Sequence, residues 1–225
     1  MSKESVIKTA ISQLGYTESP PGSNRVKYWD EYGLTWQGQP WCVCFLWWCF
    51  MKADESMAFF AGAKTSSCGV LWRWYKEQGQ TVPVDEVQPA DLVFYNFHGG
   101  TQPEHVGLAE SVTPRPISQV TSLEGNTSPG LEGSQDNGGC VARKIRYRSQ
   151  IVGVARPKYK EEVKPVLTDD DYSTHWAVKD IDLAIERGLM KGYPDGTFKP
   201  DKPITRAELA VVLNRIYDLW EVKNG

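Results

Sequence analysis

The stretch QPWCVCFLWWCF, residues 39–50, decides the fold of this chain. It places Cys42 directly after a Pro-Trp pair, at the head of a run that is almost wholly apolar. Proline suits the first turn of a helix, and a helix without a polar face must be buried on all sides. Unpaired backbone N–H groups and the helix dipole favour a thiolate at a helix N-terminus. Cys42 is therefore the candidate nucleophile, whereas Cys44 and Cys49 are expected to be core residues.

The composition limits the classes of protein to consider. The chain has 225 residues and a net charge of −3, with acids and bases interspersed, so we expect one large domain plus a module and no nucleic-acid partner. No stretch approaches membrane-spanning length, and the N-terminus has no apolar segment typical of a secretion signal. Five cysteines without a CxxC pair suit synthesis in a reducing cytosol.

The periodicity of apolar residues changes along the chain. Helical spacing predicts helices over about 3–14, 24–32, 42–53 and 67–78, with Ser23 or Asn24 capping the second. Short strands rich in Val, Ile, Tyr and Phe follow at 92–97, 106–112, 119–123, 140–147 and 151–155. Helices first and strands second is the α+β pattern, so we expect the buried Cys42 helix to pack against an antiparallel sheet. Residues 128–139 predict a polar hairpin loop near the site.

Polar residues near the predicted strand ends supply partners for the thiol. His105 opens a strand, and Glu124 and Asn126 follow the end of the next one. The order Cys, His, Glu/Asn is that of a cysteine hydrolase, in which the histidine holds an ion pair with the thiolate and Glu124 or Asn126 fixes its tautomer. The alternatives are a core cysteine, a histidine satisfied within a sheet and an ordinary turn. His98, in a glycine-rich loop, is a second candidate base and ranks behind His105.

Four segments in order, PWCVCFLWWC, PADLVFY, EHVGLAES and LEGNTS, resemble the motifs of the CHAP domain, the cysteine- and histidine-dependent amidohydrolases and peptidases of papain-like fold. The resemblance runs from about residue 3 to 157. It implies that Cys42 is the nucleophile, His105 the base, Glu124 the residue that orients it and Asn126 a further polar position. It also implies cleavage of peptidoglycan amides, either between muramic acid and L-alanine or within stem or cross-bridge peptides.

Two departures from the CHAP pattern accompany this resemblance. Val43 stands where alanine is common. Some members carry an acidic calcium loop before the cysteine, but here Asp30 and Glu31 are the only acids in that region, so no metal or other cofactor is expected. Trp36 and Trp41, in the loop that leads to the nucleophile, are the candidate substrate contacts.

The C-terminal stretch HWAVKDIDLAIERGLMKGYPDGTFKPDKPITRAELAVVLNRI closely resembles a single S-layer homology motif over about residues 168–219. Thr205 and Glu208 predict a capping box at the start of its last helix. The resemblance implies binding to the anionic secondary polysaccharide of Gram-positive walls, with Arg206 pairing with an acidic sugar group and Trp176 and Gly192 as weaker sugar contacts. The alternative is that Arg206 forms an ion pair with Glu208 or a nearby acid.

Together these patterns predict a catalytic domain at 1–157, a linker at 158–166 and a wall-binding module at 167–225. The favoured function is a peptidoglycan hydrolase of the phage endolysin type, made in the host cytoplasm without a signal peptide and acting at the bacterial cell wall. The alternatives are a secreted bacterial autolysin and a catalytically inactive wall-attached protein. Proteins of this kind usually present three S-layer homology motifs and this chain has one, so we expect either that the module docks against the catalytic domain or that several chains associate through it as a homo-oligomer.

Overall fold

A computed structural model describes residues 3–33, 37–131, 138–160, 167 and 170–224. These residues fall into two compact units, Met1–Glu162 and Val163–Gly225. The first unit begins with four helices: α1 (Lys3–Ile11), α2 (Lys27–Tyr32), α3 (Cys42–Lys52) and α4 (Cys68–Glu77). Its strands follow: β1 (Thr81–Val82), β2 (Leu92–Tyr95), β3 (His105–Val112), β4 (Gln119–Thr127), β5 (Cys140–Tyr147) and β6 (Ile151–Ala155).

The six strands form one antiparallel sheet in the order β1-β6-β2-β3-β4-β5. Helices come first and strands second, so the α+β prediction is confirmed. Sequence patterning missed the two-residue strand β1. It also ended the fourth strand at Leu123, whereas β4 continues to Thr127 with an irregularity in its pairing to β5. Glu124 and Asn126 therefore lie within a strand and not beyond its end.

Helix α3 is the centre of the hydrophobic core. Nine of its eleven residues are buried, among them Trp47, Trp48 and Phe50. The helix contacts α1, α2, β3 and β4, as the absence of a polar face predicts. Full burial of one large apolar side chain contributes about 1.5–3 kcal/mol, so this element contributes much of the unit's stability.

Two glycines let the sheet approach α3 and make room for the site. A Cβ on Gly125 of β4 would lie 2.6 Å from Cβ of Phe45 and 2.8 Å from the Trp41 ring. A Cβ on Gly107 of β3 would lie 2.8 Å from Cγ of Glu124. Glycine inside a strand commonly marks such a close approach of neighbouring groups. Gly125 thus brings β4 against α3, and Gly107 provides the space that the Glu124 side chain fills.

The other helices of the first unit differ from the predictions mainly at their ends. Helix α1 stops at Ile11, and the chain turns through Gly15 at φ 82°. Helix α2 starts after Val26 without a side-chain cap, so the predicted cap from Ser23 or Asn24 is wrong. Helix α4 does have a side-chain cap, because Ser67 Oγ accepts the Val70 N–H at 3.3 Å.

The chain after β6 stays attached to the first unit through residue 160. The ring of Tyr159 stacks on Phe50 of α3 at a centroid distance of 5.6 Å, and its hydroxyl donates to the Ala90 carbonyl at 2.6 Å. The Lys160 N–H donates to the buried Glu55 carboxylate at 3.0 Å. The first residues of the predicted linker thus pack on this unit, and residues 161–166 lie outside the described ranges.

The second unit contains helices α5 (Asp170–Thr174), α6 (Val178–Glu186) and α7 (Arg206–Asn224). The predicted capping box is present at α7. The Glu208 N–H donates to Thr205 Oγ1 at 3.2 Å, and the Thr205 N–H donates to the Glu208 carboxylate at 2.8 Å. Within the described ranges of the chain, no helix combines the length and apolar character needed to cross a membrane.

Candidate active site

Cys42 is the first residue of α3, and its side chain is only 4% exposed. Its position at the helix start follows from the Pro-Trp pair before it and the apolar run after it. The backbone N–H of Val43, in the first turn, is one of the groups that lower the pKa of the Cys42 thiol. The helix thus holds the sulfur against unpaired N–H groups, as the sequence predicted.

His105 is the first residue of β3, and Glu124 lies on the neighbouring strand β4. Antiparallel pairing of the two strands brings His105 Nε2 to 2.8 Å from Glu124 Oε2, with both side chains fully enclosed. Nδ1 of His105 is buried and has no hydrogen-bond partner among the described residues. The structure thus leaves one ring nitrogen unpaired while Glu124 fixes the other.

Glu124 is held on its far side by two polar residues that the sequence analysis missed. Arg146 of β5 donates from Nε to Oε1 at 2.8 Å and from Nη2 to Oε2 at 2.5 Å, a two-pronged contact. Ser122 donates its hydroxyl to Oε1 at 2.5 Å. The Arg146 guanidinium also lies 4.5 Å from the centroid of the Phe97 ring. Because every lone pair of this buried carboxylate faces a donor, its charge is stabilised without water.

The electrostatics of this cluster favour charged partners. Burial alone raises the pKa of Glu124, but His105 and Arg146 lower it to about 2. Burial likewise lowers the pKa of His105, but the Glu124 charge, the hydrogen bond to Glu124 and the influence of Cys42 raise it to about 9. At neutral pH the cluster therefore contains an ionised carboxylate and a protonated imidazole, the state that stabilises a thiolate beside it.

A second cysteine touches the candidate nucleophile. Cys68, the first residue of α4, places its Sγ 3.6 Å from Sγ of Cys42. Hydrogen bonding from Cys68 is the largest influence that lowers the pKa of Cys42, against burial and together with His105. The same contact and burial raise the pKa of Cys68, so it stays a thiol and donates to the thiolate. The two residues are far apart in sequence, and only the Ser-capped start of α4 indicated where Cys68 would lie.

Other predicted site residues lie elsewhere. Asn126 has φ 55° at the irregular part of β4, and its side chain makes no hydrogen bond within the described part of the chain. Trp41 is fully buried against Gly125 and Tyr28, which corrects its prediction as a substrate contact. Trp36 lies outside the described residues. His98 is exposed and paired with Glu104 at 2.8 Å, away from Glu124.

The two remaining buried cysteines of α3 agree with the core prediction. Burial raises the pKa of both Cys44 and Cys49, which keeps them as neutral thiols. Across the described residues, no group of three His, Cys, Asp or Glu side chains is arranged to hold a metal ion.

Two known protein families match parts of this chain. A family described as the CHAP domain matches residues 34–126, a range that contains Cys42, His105 and Glu124. A second family, the S-layer homology domain, matches residues 168–210. The chain contains a CHAP domain and one S-layer homology domain.

The curated relatives are proteins of bacterial surfaces. Cell surface glycoprotein 1 of Acetivibrio thermocellus is 37% identical over 114 residues, which is 49% of this chain and 5% of that protein. The cellulosome-anchoring protein of the same organism is 47% identical over 53 residues, 23% of this chain and 12% of that protein. Outer membrane protein SlpA of Deinococcus radiodurans is 44% identical over 54 residues, 24% of this chain and 4% of its own length. The chain thus spans a small fraction of these relatives, and no solved structure matches it.

The predicted wall-binding residues occupy different environments within the S-layer homology domain. Arg206 is exposed and forms no ion pair with any described residue, Glu208 included. Trp176 is 87% exposed. Gly192 has a packing role, because a Cβ there would lie 2.6 Å from Leu167 Cδ2 and 3.0 Å from the Thr197 carbonyl oxygen.

A pocket of 280 Å³ lies in the same domain. Gly192, Tyr193, Lys202 and Arg215 are among its lining residues. Lys202 Nζ stands 4.5 Å from the centroid of the Tyr193 ring, and Arg215 Nη1 donates to the Leu189 carbonyl at 2.9 Å. The pocket thus combines an aromatic face with positive charge, and sequence reasoning did not single out Lys202 or Arg215.

Proposed function

We propose that the CHAP domain hydrolyses an amide bond of peptidoglycan with Cys42 as nucleophile, and that the S-layer homology domain holds the enzyme on wall polysaccharide. The observation that carries the proposal is the buried line from Cys42 through His105 and Glu124 to Arg146. The four groups alternate in charge, which is the arrangement that an activated cysteine requires.

The proposed reaction uses the groups in sequence. The Cys42 thiolate attacks the amide carbonyl carbon, and a backbone N–H at the start of α3 stabilises the oxyanion. The His105 imidazolium then gives its proton to the leaving amine, which departs as the C–N bond breaks and a thioester remains. Water, deprotonated by His105, attacks the thioester and releases the carboxylic acid and the thiolate. Glu124 keeps the imidazole in one orientation throughout.

Mass spectrometry of fragments released from purified Gram-positive peptidoglycan tests this proposal. The wild-type chain is compared with Cys42→Ala and with Cys49→Ala, which removes a buried sulfur from the same helix but no proposed catalytic group. We expect wild type and Cys49→Ala to release fragments, and Cys42→Ala to fall by at least about 10³-fold. Absence of release by the folded wild type on walls that it binds would instead favour a wall-attached binding protein.

The same experiment identifies the bond. Free stem peptides that begin with L-alanine indicate an N-acetylmuramoyl-L-alanine amidase. Cut stems or cross-bridges indicate an endopeptidase. Both activities use the same nucleophilic chemistry, so the bond cut depends on the shape of the surrounding loops and not on the cluster at Cys42.

For the wall-binding step, we propose an anionic sugar group bound by Arg206 together with the pocket around Tyr193 and Lys202. An exposed guanidinium and a lysine beside an aromatic ring supply charge and a stacking surface. Co-sedimentation of the inactive Cys42→Ala chain with walls provides the test. We expect Arg206→Ala and Lys202→Ala each to weaken binding about threefold to tenfold. Lys179→Ala, at an exposed position of α6, is the matched control and is expected to bind normally.

We further propose that chains associate through the S-layer homology domain. Leu209, Leu213 and Ile216 follow one face of α7 at helical spacing, and each is about half exposed. Association would bring several copies of the single motif together and raise the effective concentration at the wall. Light scattering should give a mass above that of one chain for wild type and a monomer mass for Leu213→Glu. A monomeric wild type would contradict this step alone.

The biological setting also belongs to the proposal. The names of the relatives are those of bacterial surface proteins, which favours a bacterial wall enzyme such as an autolysin over a phage endolysin. An autolysin and an endolysin would share the chemistry proposed for Cys42. The genomic neighbourhood of the coding sequence separates them, because an endolysin gene is expected beside other phage genes.

A further inference from the structure

The contact between Cys42 and Cys68 has the geometry of an incipient disulfide. Their sulfurs are 3.6 Å apart, and both thiols are free and buried. A disulfide bond is about 2.05 Å long, so the sulfurs need to approach by only about 1.5 Å. Each cysteine is the first residue of its own helix, α3 and α4. The movement therefore involves the ends of two elements and leaves their interiors in place.

Cys68 performs no step in the proposed hydrolysis. It supplies neither nucleophile, base nor oxyanion donor, although it lies closer to Cys42 than any other described cysteine. The two thiols are also unlike each other. Cys42 is poised as a thiolate beside His105, whereas Cys68 stays protonated. A reactive thiolate next to a protonated thiol is the pairing found where one cysteine is oxidised and a second resolves the product.

We propose that Cys42 and Cys68 form a peroxide-sensitive modification site, in which Cys68 captures oxidised Cys42 as a disulfide and so switches the hydrolase off reversibly. The loss of activity rests on the proposed function of Cys42, whereas formation of the disulfide rests only on the geometry of the two sulfurs. The oxidant is hydrogen peroxide or an organic hydroperoxide.

The chemistry balances in two steps. The Cys42 thiolate attacks one oxygen of hydrogen peroxide, the O–O bond breaks, and the departing hydroxide takes the proton of the His105 imidazolium to become water. Cys42 is then a sulfenic acid. Cys68 next attacks the Cys42 sulfur, the S–O bond breaks, and the departing hydroxide takes the thiol proton of Cys68. The peroxide gains two electrons, the sulfurs lose two, and a dithiol reductant reverses the change by exchange.

The disulfide would also protect the nucleophile. A sulfenic acid that no thiol intercepts is oxidised further to sulfinic acid, which ordinary thiols do not reduce. Because Cys68 is in contact with Cys42, interception is intramolecular and competes well with a second peroxide molecule. Without Cys68, the same exposure to peroxide should inactivate the enzyme permanently.

The test treats wild type, Cys68→Ser and Cys49→Ala with hydrogen peroxide and follows each by peptide mass spectrometry. Wild type and Cys49→Ala should lose about 2 Da and yield one peptide that joins Cys42 to Cys68, and dithiothreitol should restore both the mass and wall hydrolysis. Cys68→Ser should instead gain about 32 Da on Cys42, and dithiothreitol should not reverse that gain.

The outcomes separate this inference from the proposed function. Equal formation of Cys42 sulfinic acid in wild type and Cys68→Ser, without a joined peptide, would overturn the modification site. So would a disulfide from Cys42 to Cys44 or Cys49. If the joined peptide forms but untreated wild type releases no wall fragments, the modification site stands and the hydrolase proposal fails. Because the joined peptide is measured in wild type, poor folding of Cys68→Ser would not obscure the result.

Discussion

Helices α3 and α7 show how differently the two domains use apolar side chains. In α3 nine of eleven residues are buried, and Trp47 is 7% exposed. In α7 the stripe of Leu209, Leu213 and Ile216 is about half exposed, and Trp220 is 60% exposed. The CHAP domain therefore encloses Cys42, His105 and Glu124 within its own core. The S-layer homology domain presents its apolar and cationic groups on its surface, where another molecule can meet them.

The largest effect should come from breaking the buried charge network of the CHAP domain. Arg146→Met removes the two guanidinium N–H groups that donate to Glu124 and leaves a buried carboxylate with less compensation. Loss of one member of such a network costs about 3–5 kcal/mol of folding free energy. Denaturant unfolding should show this loss, and hydrolysis should fall because Glu124 no longer holds His105 firmly.

Arg143→Met is the matched control for that change. Arg143 also lies on β5 and donates to one carboxylate, Glu110, but its side chain is partly exposed. We expect it to cost at most about 1 kcal/mol. Equal losses of folding free energy in the two variants would show that the buried Glu124 network contributes no more to stability than a partly exposed ion pair does.

Replacing one closely packed glycine by alanine in each domain compares how well the two domains accommodate an added methyl group. Gly125→Ala would press on Cβ of Phe45, which is fixed to the α3 backbone, and should destabilise the CHAP domain by about 1–3 kcal/mol. Gly192→Ala would first meet the flexible tip of Leu167, so its cost should be smaller. Thermal unfolding of the full chain measures both. A larger loss of stability for Gly192→Ala than for Gly125→Ala would contradict the expectation that the Leu167 side chain moves aside more easily than Cβ of Phe45.

The pH dependence of hydrolysis tests the buried histidine. Folding raises the pKa of His105 to about 9, so its ion pairs contribute fully below the ordinary value of about 6.5 and are lost as pH rises through about 9. Hydrolysis should therefore fall about tenfold per pH unit above about 9. Wall binding by Cys42→Ala is proposed to use exposed Lys and Arg groups, so it should not decline with hydrolysis as the pH rises through about 9. A decline of hydrolysis centred near pH 6.5 would contradict the assigned imidazolium.

The smallest effect should come from removing a helix cap in each domain. Thr205→Ala removes the acceptor for the Glu208 N–H, and Ser67→Ala removes the acceptor for the Val70 N–H. Each loss costs about 0.5–2 kcal/mol. Because α7 has fewer buried contacts than α4, we expect the Thr205 change to lower the melting temperature of its own domain more. Calorimetry of the full chain measures both changes.

Much of the CHAP domain could be predicted from local patterns. The unbroken apolar run located α3, and the spacing of Val, Ile and Tyr located β5 and β6 at the observed bounds. The cluster of Cys42, His105 and Glu124 could be inferred because each lies at the start or near the end of a predicted element. These patterns are properties of short segments, so they can be recognised without knowing which strands are neighbours in the sheet.

The residues that the sequence analysis missed depend on pairing across the sheet. Arg146 reaches Glu124 only because β5 lies beside β4, and Cys68 reaches Cys42 only because α4 starts beside α3. The sequence did contain one indication of a buried polar partner on β5. Lys144 and Arg146 occupy alternate positions of β5, so both point to one face of the sheet, and both are buried. Two charges on the inward side of a strand indicate a buried polar partner.

The attachment of Tyr159 and Lys160 has a mechanical consequence. If the S-layer homology domain is fixed to a wall that is stretched by turgor, tension enters the CHAP domain along the chain at these residues. Among their contacts are Phe50 and Glu55, at the C-terminal end of α3 and just beyond it. Cys42 lies eight residues away from Phe50, about 12 Å along the helix axis. A pulling force would thus act first on the end of α3 that lies away from the Cys42 sulfur.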